Sequence, residues 1–273
     1  MYKYISISLG ANSLCVKLND KKRVEYQKDT DNSCVIWRPG QPDIKKRAGY
    51  VETALKDMLY SLRFLNIRTQ KLIIDLEKDA PLGYLHRLAE YFPKRFFAVR
   101  IAISICKKTD CPKILELMEP GFLEEIFIEH QTRVCVSNWA DSIYELEQWK
   151  QATRADTSDY IKLDCKQLRH YYHLKHFEVI LNDFTMEQAV IIRDTLASLP
   201  QFETCQIFVP GLNASSLKTV WALEEHSGTY RNAISLCKAA SRDSRYEHLC
   251  RPPLLQILRF VEGNTSAPSE YTD

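Results

Sequence analysis

At 273 residues the chain is long enough to bury roughly three-quarters of the surface its unfolded form exposes. Its 45% apolar and 26% charged residues are those of an ordinary globular protein. A formal net charge of +2 supplies no bulk field toward nucleic acid or an anionic membrane. No apolar run reaches the length of a membrane-spanning helix, and the N-terminus lacks the charged-then-apolar layout of a signal peptide. An intracellular protein, cytoplasmic or nuclear, is therefore expected, with its nine cysteines read as reduced, mostly buried thiols.

Residues 2–37 read as strands. Ile5, Ile7 and Leu9 alternate with Ser6 and Ser8, and past the turn-like Gly10–Ser13, Leu14, Val16 and Leu18 alternate with Cys15 and Lys17. That is a hairpin with one polar face. Asn19-Asp20 turns the chain into a third strand, Arg23–Gln27, and Cys34–Trp37 is a fourth. Pro39-Gly40 and Pro42 make Arg38–Lys46 a loop. Its basic run, and the one at Lys21-Lys22-Arg23, are solvated loop charge, since neither interleaves with aromatics.

Ala48, Val51, Leu55, Met58, Leu62 and Leu65 then recur at steps of three and four, predicting an amphipathic helix laid on the sheet. From Lys71 the pattern becomes strand and helix in turn. Strands are expected at Lys71–Leu76, Phe97–Ile103 and Glu125–Ile128, with helices at Leu82–Phe92 and Cys111–Met118. Trp139–Ala152 reads as a helix, Arg154–Asp159 as a polar loop, and Tyr160–Leu163 as a strand.

The stretch Phe177–Val209 carries the clearest unit. Phe177–Leu181 is strand-like, and Thr185 with Gln188 has capping-box spacing. Ala189, Ile192, Leu196 and Leu199 repeat at helical intervals up to Pro200. Phe202–Val209 returns as a strand, so a β-α-β unit is expected, right-handed if its strands are parallel. Ser215–Glu224 reads as a short helix, Tyr230–Phe260 is poorly periodic, and Glu262–Asp273 is polar enough for disorder.

Strand entries at Phe96, Leu123, Leu174 and Phe202 share an apolar-x-x-apolar-x-apolar spacing, which Thr69/Leu72/Ile74 fits in part; the first positions from Thr69 on lie 27, 27, 51 and 28 residues apart. The fold class expected is α/β: an N-terminal β-meander, then repeated strand–helix units in a curved, leucine-rich-repeat-like solenoid. An ordinary α/β domain with regular loops is the alternative. The implied organisation is 1–46 N-terminal strands, 47–210 strand–helix repeats, 211–261 an irregular cap, and 262–273 a tail.

Catalytic chemistry is hard to place. His170, His173 and His176, with Cys165 nearby, form the most site-like cluster. On one helix the third histidine lies about 240° round from the first, so the set would not converge on a metal. No Walker loop, dinucleotide fingerprint or nucleophile elbow occurs, and eight glycines leave little scope for a phosphate cradle. No catalytic, cofactor-binding or metal-ligating residue is assigned, and no cofactor is expected. The favoured reading is a non-enzymatic binding surface on outward strand residues. Asp75, Arg100, Glu178 and Gln206 are the candidates because each interrupts an apolar strand. The alternatives are a metal- or thiol-dependent enzyme using His170, His173 and Cys165, and an RNA-binding module.

Three runs carry a family resemblance. Leu146-Glu-Gln-Trp-Lys-Gln-Ala152 resembles the helix hallmark of the nematode FTH domain, the F-box-associated region of F-box A proteins. So does Phe177-Glu-Val with Asp183-Phe-Thr-Met-Glu-Gln-Ala-Val-Ile-Ile-Arg-Asp194 and Phe202–Phe208, and Leu117-Met-Glu-Pro-Gly-Phe-Leu-Glu124 resembles the segment preceding them. Ile5-Ser-Ile and Gly10-Ala-Asn-Ser13 resemble the sheet that links F-box to FTH domain. The resemblance implies the substrate-recruiting part of a ubiquitin-ligase adaptor, holding a target protein whose identity the sequence does not give. An F-box would be expected before Tyr2 and is not in the sequence, so docking to a Skp-type subunit is not expected. Neither membrane nor nucleic acid is an expected partner.

Overall fold

The computed structural model describes residues 2–19, 22–62, 68–80, 84, 96–105, 110–130, 140–157, 162–182, 184–209, 223–225, 233–237 and 257–261. The fold is mixed α/β, with helices set along open sheet. It divides into two compact units, Met1–Thr153 and Arg154–Asp273. The expected helix at Leu82–Phe92 lies outside the described residues apart from Tyr84, which is helical and buried.

In the first unit, β1 (Tyr2–Leu9), β2 (Ser13–Leu18), β3 (Lys22–Thr30), β4 (Ser33–Trp37) and β5 (Ile44–Lys46) pair antiparallel in sequence order. The first four strands are the meander expected from the sequence. Asn19 turns the chain at φ 53°, a left-handed value that Asn tolerates. Its Oδ1 accepts from the backbone N–H of Lys3 at 2.8 Å and of Tyr4 at 3.2 Å. At Gly10 a side chain would meet the Glu77 carboxylate, so that flexible side chain would have to swing aside to admit one.

Helix α1 (Tyr50–Leu62) buries Val51, Ala54, Leu55 and Met58, one stripe at i, i+3, i+4 and i+7, against β2, β3 and β4. Its first residue anchors it: the Tyr50 hydroxyl lies 3.0 Å from the Gly10 carbonyl and 2.8 Å from that of Ala11. Past α1 the sheet continues on the other side of β1 with β6 (Arg68–Leu76), β7 (Phe97–Ile105) and β8 (Glu125–His130), all parallel. The order is β5-β4-β3-β2-β1-β6-β7-β8. Leu72, Ile74, Ile101, Ile103, Ile126 and Ile128 point to one side and are buried, as are Cys111, Ile114 and Leu115 of α2 (Asp110–Glu116).

Two expectations change here. Arg38–Lys46 is not all loop, because its last three residues form β5, with Ile44 opposite Ile36. All three are exposed, so β5 is a short, lysine-bearing edge strand that no apolar alternation could announce. The expected helix at Trp139–Ala152 is two pieces, α3 (Ala140–Tyr144) and α4 (Glu147–Lys150). Ile143 and Tyr144 are buried by the first piece and Gln148 and Trp149 by the second. Two pairs of adjacent residues, about 100° apart on a helix, do not share one stripe, and the break lets each pair turn inward.

In the second unit, β9 (Arg154–Asp156), β10 (Lys162–Leu163), β11 (His176–Leu181) and β12 (Thr204–Phe208) are parallel, with α5 (Met186–Ser198) between the last two. This is the predicted β-α-β unit. Thr185 caps α5 reciprocally: the Gln188 N–H donates to Thr185 Oγ1 at 3.2 Å, and the Thr185 N–H donates to Gln188 Oε1 at 2.8 Å. Strand β12 continues antiparallel into β14 (Ala233–Cys237) and β15 (Ile257–Val261), with β13 (Leu223–Glu225) parallel to β15.

Four readings are corrected in this unit. Arg154–Asp156, read as loop, is a strand on β11, with only Ala155 facing inward. β12 occupies one side of β11, so β9 and β10 follow one another along its other side. Leu223–Glu225, expected at the end of a helix, is extended, and the poorly periodic Tyr230–Phe260 supplies β14 and β15. The histidines do not share a helix: a 3-10 helix, Cys165–Tyr171, contains His170, a turn holds His173, and His176 opens β11. The tail at 262–273 lies outside the described residues.

Candidate interaction face

Parallel pairing puts register partners on the same side of a sheet, so the side of the first unit opposite its buried isoleucines can be read in rows. One row runs Tyr4, Lys71, Arg100, Glu125 across β1, β6, β7 and β8. Two residues further along the strands the row is Ser6, Ile73, Ala102, Phe127. The third is Ser8, Asp75, Ser104, Glu129. The first row therefore carries Lys71 and an Arg100–Glu125 pair, a net positive row; the middle row is apolar from Ile73 to Phe127, and the third carries Asp75 and Glu129.

Lys71, Arg100 and Glu129 are exposed, and Ile73, Asp75, Ala102 and Phe127 are half-buried. Arg100 Nε sits 3.1 Å from Glu125 Oε1, a cross-strand pair that aims the guanidinium along the row. Held this way and still half in water, it contributes at most about 1 kcal/mol to the fold.

The second unit has a smaller counterpart. Glu178 and Gln206 are register partners on β11 and β12, and Asp156 on β9 lies on the other side of Glu178. Arg154 Nη2 reaches Glu178 Oε1 at 3.8 Å. His176, one row below Glu178, shares a hydrogen bond with Thr204 Oγ1 at 2.9 Å and has Nε2 3.3 Å from Glu203 Oε2. His170 lies against Arg169 instead, whose Nε donates to its Nε2 at 3.3 Å. Among the described residues no group of three or more His, Cys, Asp or Glu side chains is placed to hold a metal ion.

The four residues singled out from sequence thus fall in two places. Asp75 and Arg100 lie on the polar side of the first unit's sheet, in rows four residues apart, and Glu178 and Gln206 lie side by side in the second. Sequence reasoning missed Lys71, Ile73, Phe127 and Glu129. Strand parity alone puts each on the outward side of its strand, but the rows need the pairing register.

Two of the segments that carry the family resemblance meet in the core of the first unit. Trp149 of the Leu-Glu-Gln-Trp-Lys run is 1% exposed and packs on Tyr144 with ring centroids 5.4 Å apart. Gln148 beside it donates to the carbonyl of Met118 in the Met-Glu-Pro-Gly segment. Gly121 of that segment has φ 82°, which favours glycine at that turn. These residues are structural, and they explain why the motif identifies a scaffold.

No helix among the described residues is long and apolar enough to cross a membrane. No curated protein and no solved structure shows significant similarity to the chain. The family model of the FTH domain matches residues 86–224, which include β7 and β8 of the first unit and β9 to β12 of the second. The chain belongs to the FTH domain family.

Proposed function

We propose that the chain is a non-enzymatic, intracellular protein-binding module that holds a target protein on the polar side of its sheet. The observation that carries this reading is the face on β1, β6, β7 and β8, where a net-positive row with exposed Lys71 and Arg100 and an acidic row with exposed Glu129 flank an apolar one. Half-buried apolar residues ringed by charge are the usual make-up of a protein contact patch. Family membership supports the same reading, because the resemblance implies the target-holding half of a ubiquitin-ligase adaptor. In this proposal the chain binds its target whether or not a ligase is engaged.

The stepwise parallel order of β6, β7 and β8, and of β9, β11 and β12, supports a leucine-rich-repeat-like course for the chain. Affinity purification of the tagged chain from its own cells, followed by mass spectrometry, tests the function. A reproducible protein partner is expected. Recovery of nothing above background under several lysis conditions would sink the reading.

A further inference from the structure

The geometry points to the kind of target segment: an amphipathic α-helix with acidic residues along one flank and basic residues along the other, lying across β1, β6, β7 and β8. This inference rests on the protein-binding reading and specifies its site. Lys71 and Arg100, the latter paired to Glu125, lie in one net-positive row, Ile73 and Phe127 in the next, and Asp75 and Glu129 in the third. Successive rows are two residues apart along the strands, so the basic and acidic rows are separated by about 13 Å. An α-helix with its side chains is about 10–12 Å across. A helix seated on the apolar row therefore has its flanks within reach of both charged rows at once.

The length agrees as well. Four adjacent strands span about 14 Å from first to last, which is the length of about ten helical residues. An extended peptide fits less well. These four strands are already paired to one another, so a strand lying on their face would find no backbone ladder to join. A segment of single charge also fits less well, because one of the two rows would repel it.

Helical segments with apolar residues at i, i+3 or i+4, and i+7 match the middle row. Lys71 calls for Asp or Glu on the flank above it, and Asp75 and Glu129 call for Lys or Arg on the other flank. Among the described residues no ion pair engages Lys71, so its ammonium needs no rearrangement to meet a carboxylate.

The test uses the full chain in its own cells, with a photo-crosslinking benzoylphenylalanine placed at Ala102 in the middle row. A second version carries it at Ile191, which is 63% exposed on α5. The expected result is a crosslink at position 102 to a segment of another protein with the apolar spacing and opposed charged flanks described. A synthetic peptide of that segment should then bind the unmodified chain about tenfold tighter than it binds Phe127→Asp. Phe127 is half-buried, so Lys71→Glu serves as the surface variant. It should weaken the peptide severalfold, and lysines on the peptide's acidic flank should restore the loss. Capture only at position 191, or capture at 102 of an extended segment, an RNA or a second copy of this chain, overturns the inference and leaves or replaces the binding reading. No capture at either position overturns both.

Discussion

The side-chain amide of Gln148 donates to the backbone carbonyl of Met118 at 2.8 Å, 30 residues away. Gln148 is 4% exposed, Met118 is 0% exposed, and Trp149 next to them is 1% exposed. The Met118 strand position is itself tied down, since Phe96 forms an isolated parallel bridge with it. One hydrogen bond thus joins the segment that follows α2 to the short helix α4. Replacing Gln148 by Met keeps the volume and removes the donor, leaving a buried carbonyl without it. The expected cost is about 1–3 kcal/mol, read as a lower urea midpoint at unchanged slope. Gln148→Glu should be worse, because a buried carboxylate would face the carbonyl oxygen.

A second buried polar pair sits in the other unit. Thr157 Oγ1 and Tyr171 Oη are 2.9 Å apart, and both residues are fully buried. Thr157 Oγ1 also lies 3.4 Å from the Glu178 carbonyl, and its N–H donates to the same carbonyl at 3.0 Å. The arrangement fits the threonine donating to the carbonyl and accepting from the tyrosine. It ties the end of β9 to the 3-10 helix and β11. Tyr171→Phe should destabilise by about 1 kcal/mol. In a double-mutant cycle with Thr157→Val the two losses should fall well short of adding, since each variant removes the same bond. Additive losses would mean that the pair is not coupled.

The cap of α5 gives a surface test of local stability. Thr185 Oγ1 accepts the Gln188 N–H, so Thr185→Ala leaves that donor to water and removes half of the reciprocal pair. A loss of about 1 kcal/mol is expected. Thr185→Ser should keep most of the stability, because the acceptor remains. Hydrogen exchange should speed up first in the opening turn of α5.

Much of this architecture was legible because burial wrote it into the pattern. Ile5, Ile7 and Leu9 alternate because one side of β1 is core, and Thr185 with Gln188 announces α5 because caps are local. What could not be read were elements whose evidence is non-local. β5 is fully exposed, and β9 has one inward residue, Ala155, so neither offers alternation enough to count. Equal spacing of His170, His173 and His176 suggested a helix, but the apolar run Phe177–Leu181 takes His176 into a strand. The sorted charges belong to the same class. Lys71 and Arg100 are 29 residues apart and become neighbours only through the register of β6 and β7.

Acid should loosen the free edge of the meander. Asp29 Oδ2 lies 2.6 Å from Lys45 Nζ on β5 and accepts the Ser33 hydroxyl at 2.8 Å. The Lys45 ammonium first, and then the Ser33 hydroxyl, hold the Asp29 carboxyl below the usual carboxylate range. A carboxyl whose value is lower folded than unfolded binds fewer protons in the native state. Its contribution is therefore complete above the unfolded value of about 3.9 and is lost as pH falls through the lower folded value. The stability difference between the native chain and Asp29→Asn should be constant from about pH 7 to 5 and shrink below about pH 4. The pair is exposed, so salt should reduce the same difference at neutral pH. Amide exchange supplies the local readout. Protection of the β4–β5 ladder, where Cys34 lies opposite Lys46 and Ile36 opposite Ile44, should fall with acid in the native chain. In Asp29→Asn it should start lower and respond less, because the carboxylate that anchors Lys45 is already gone.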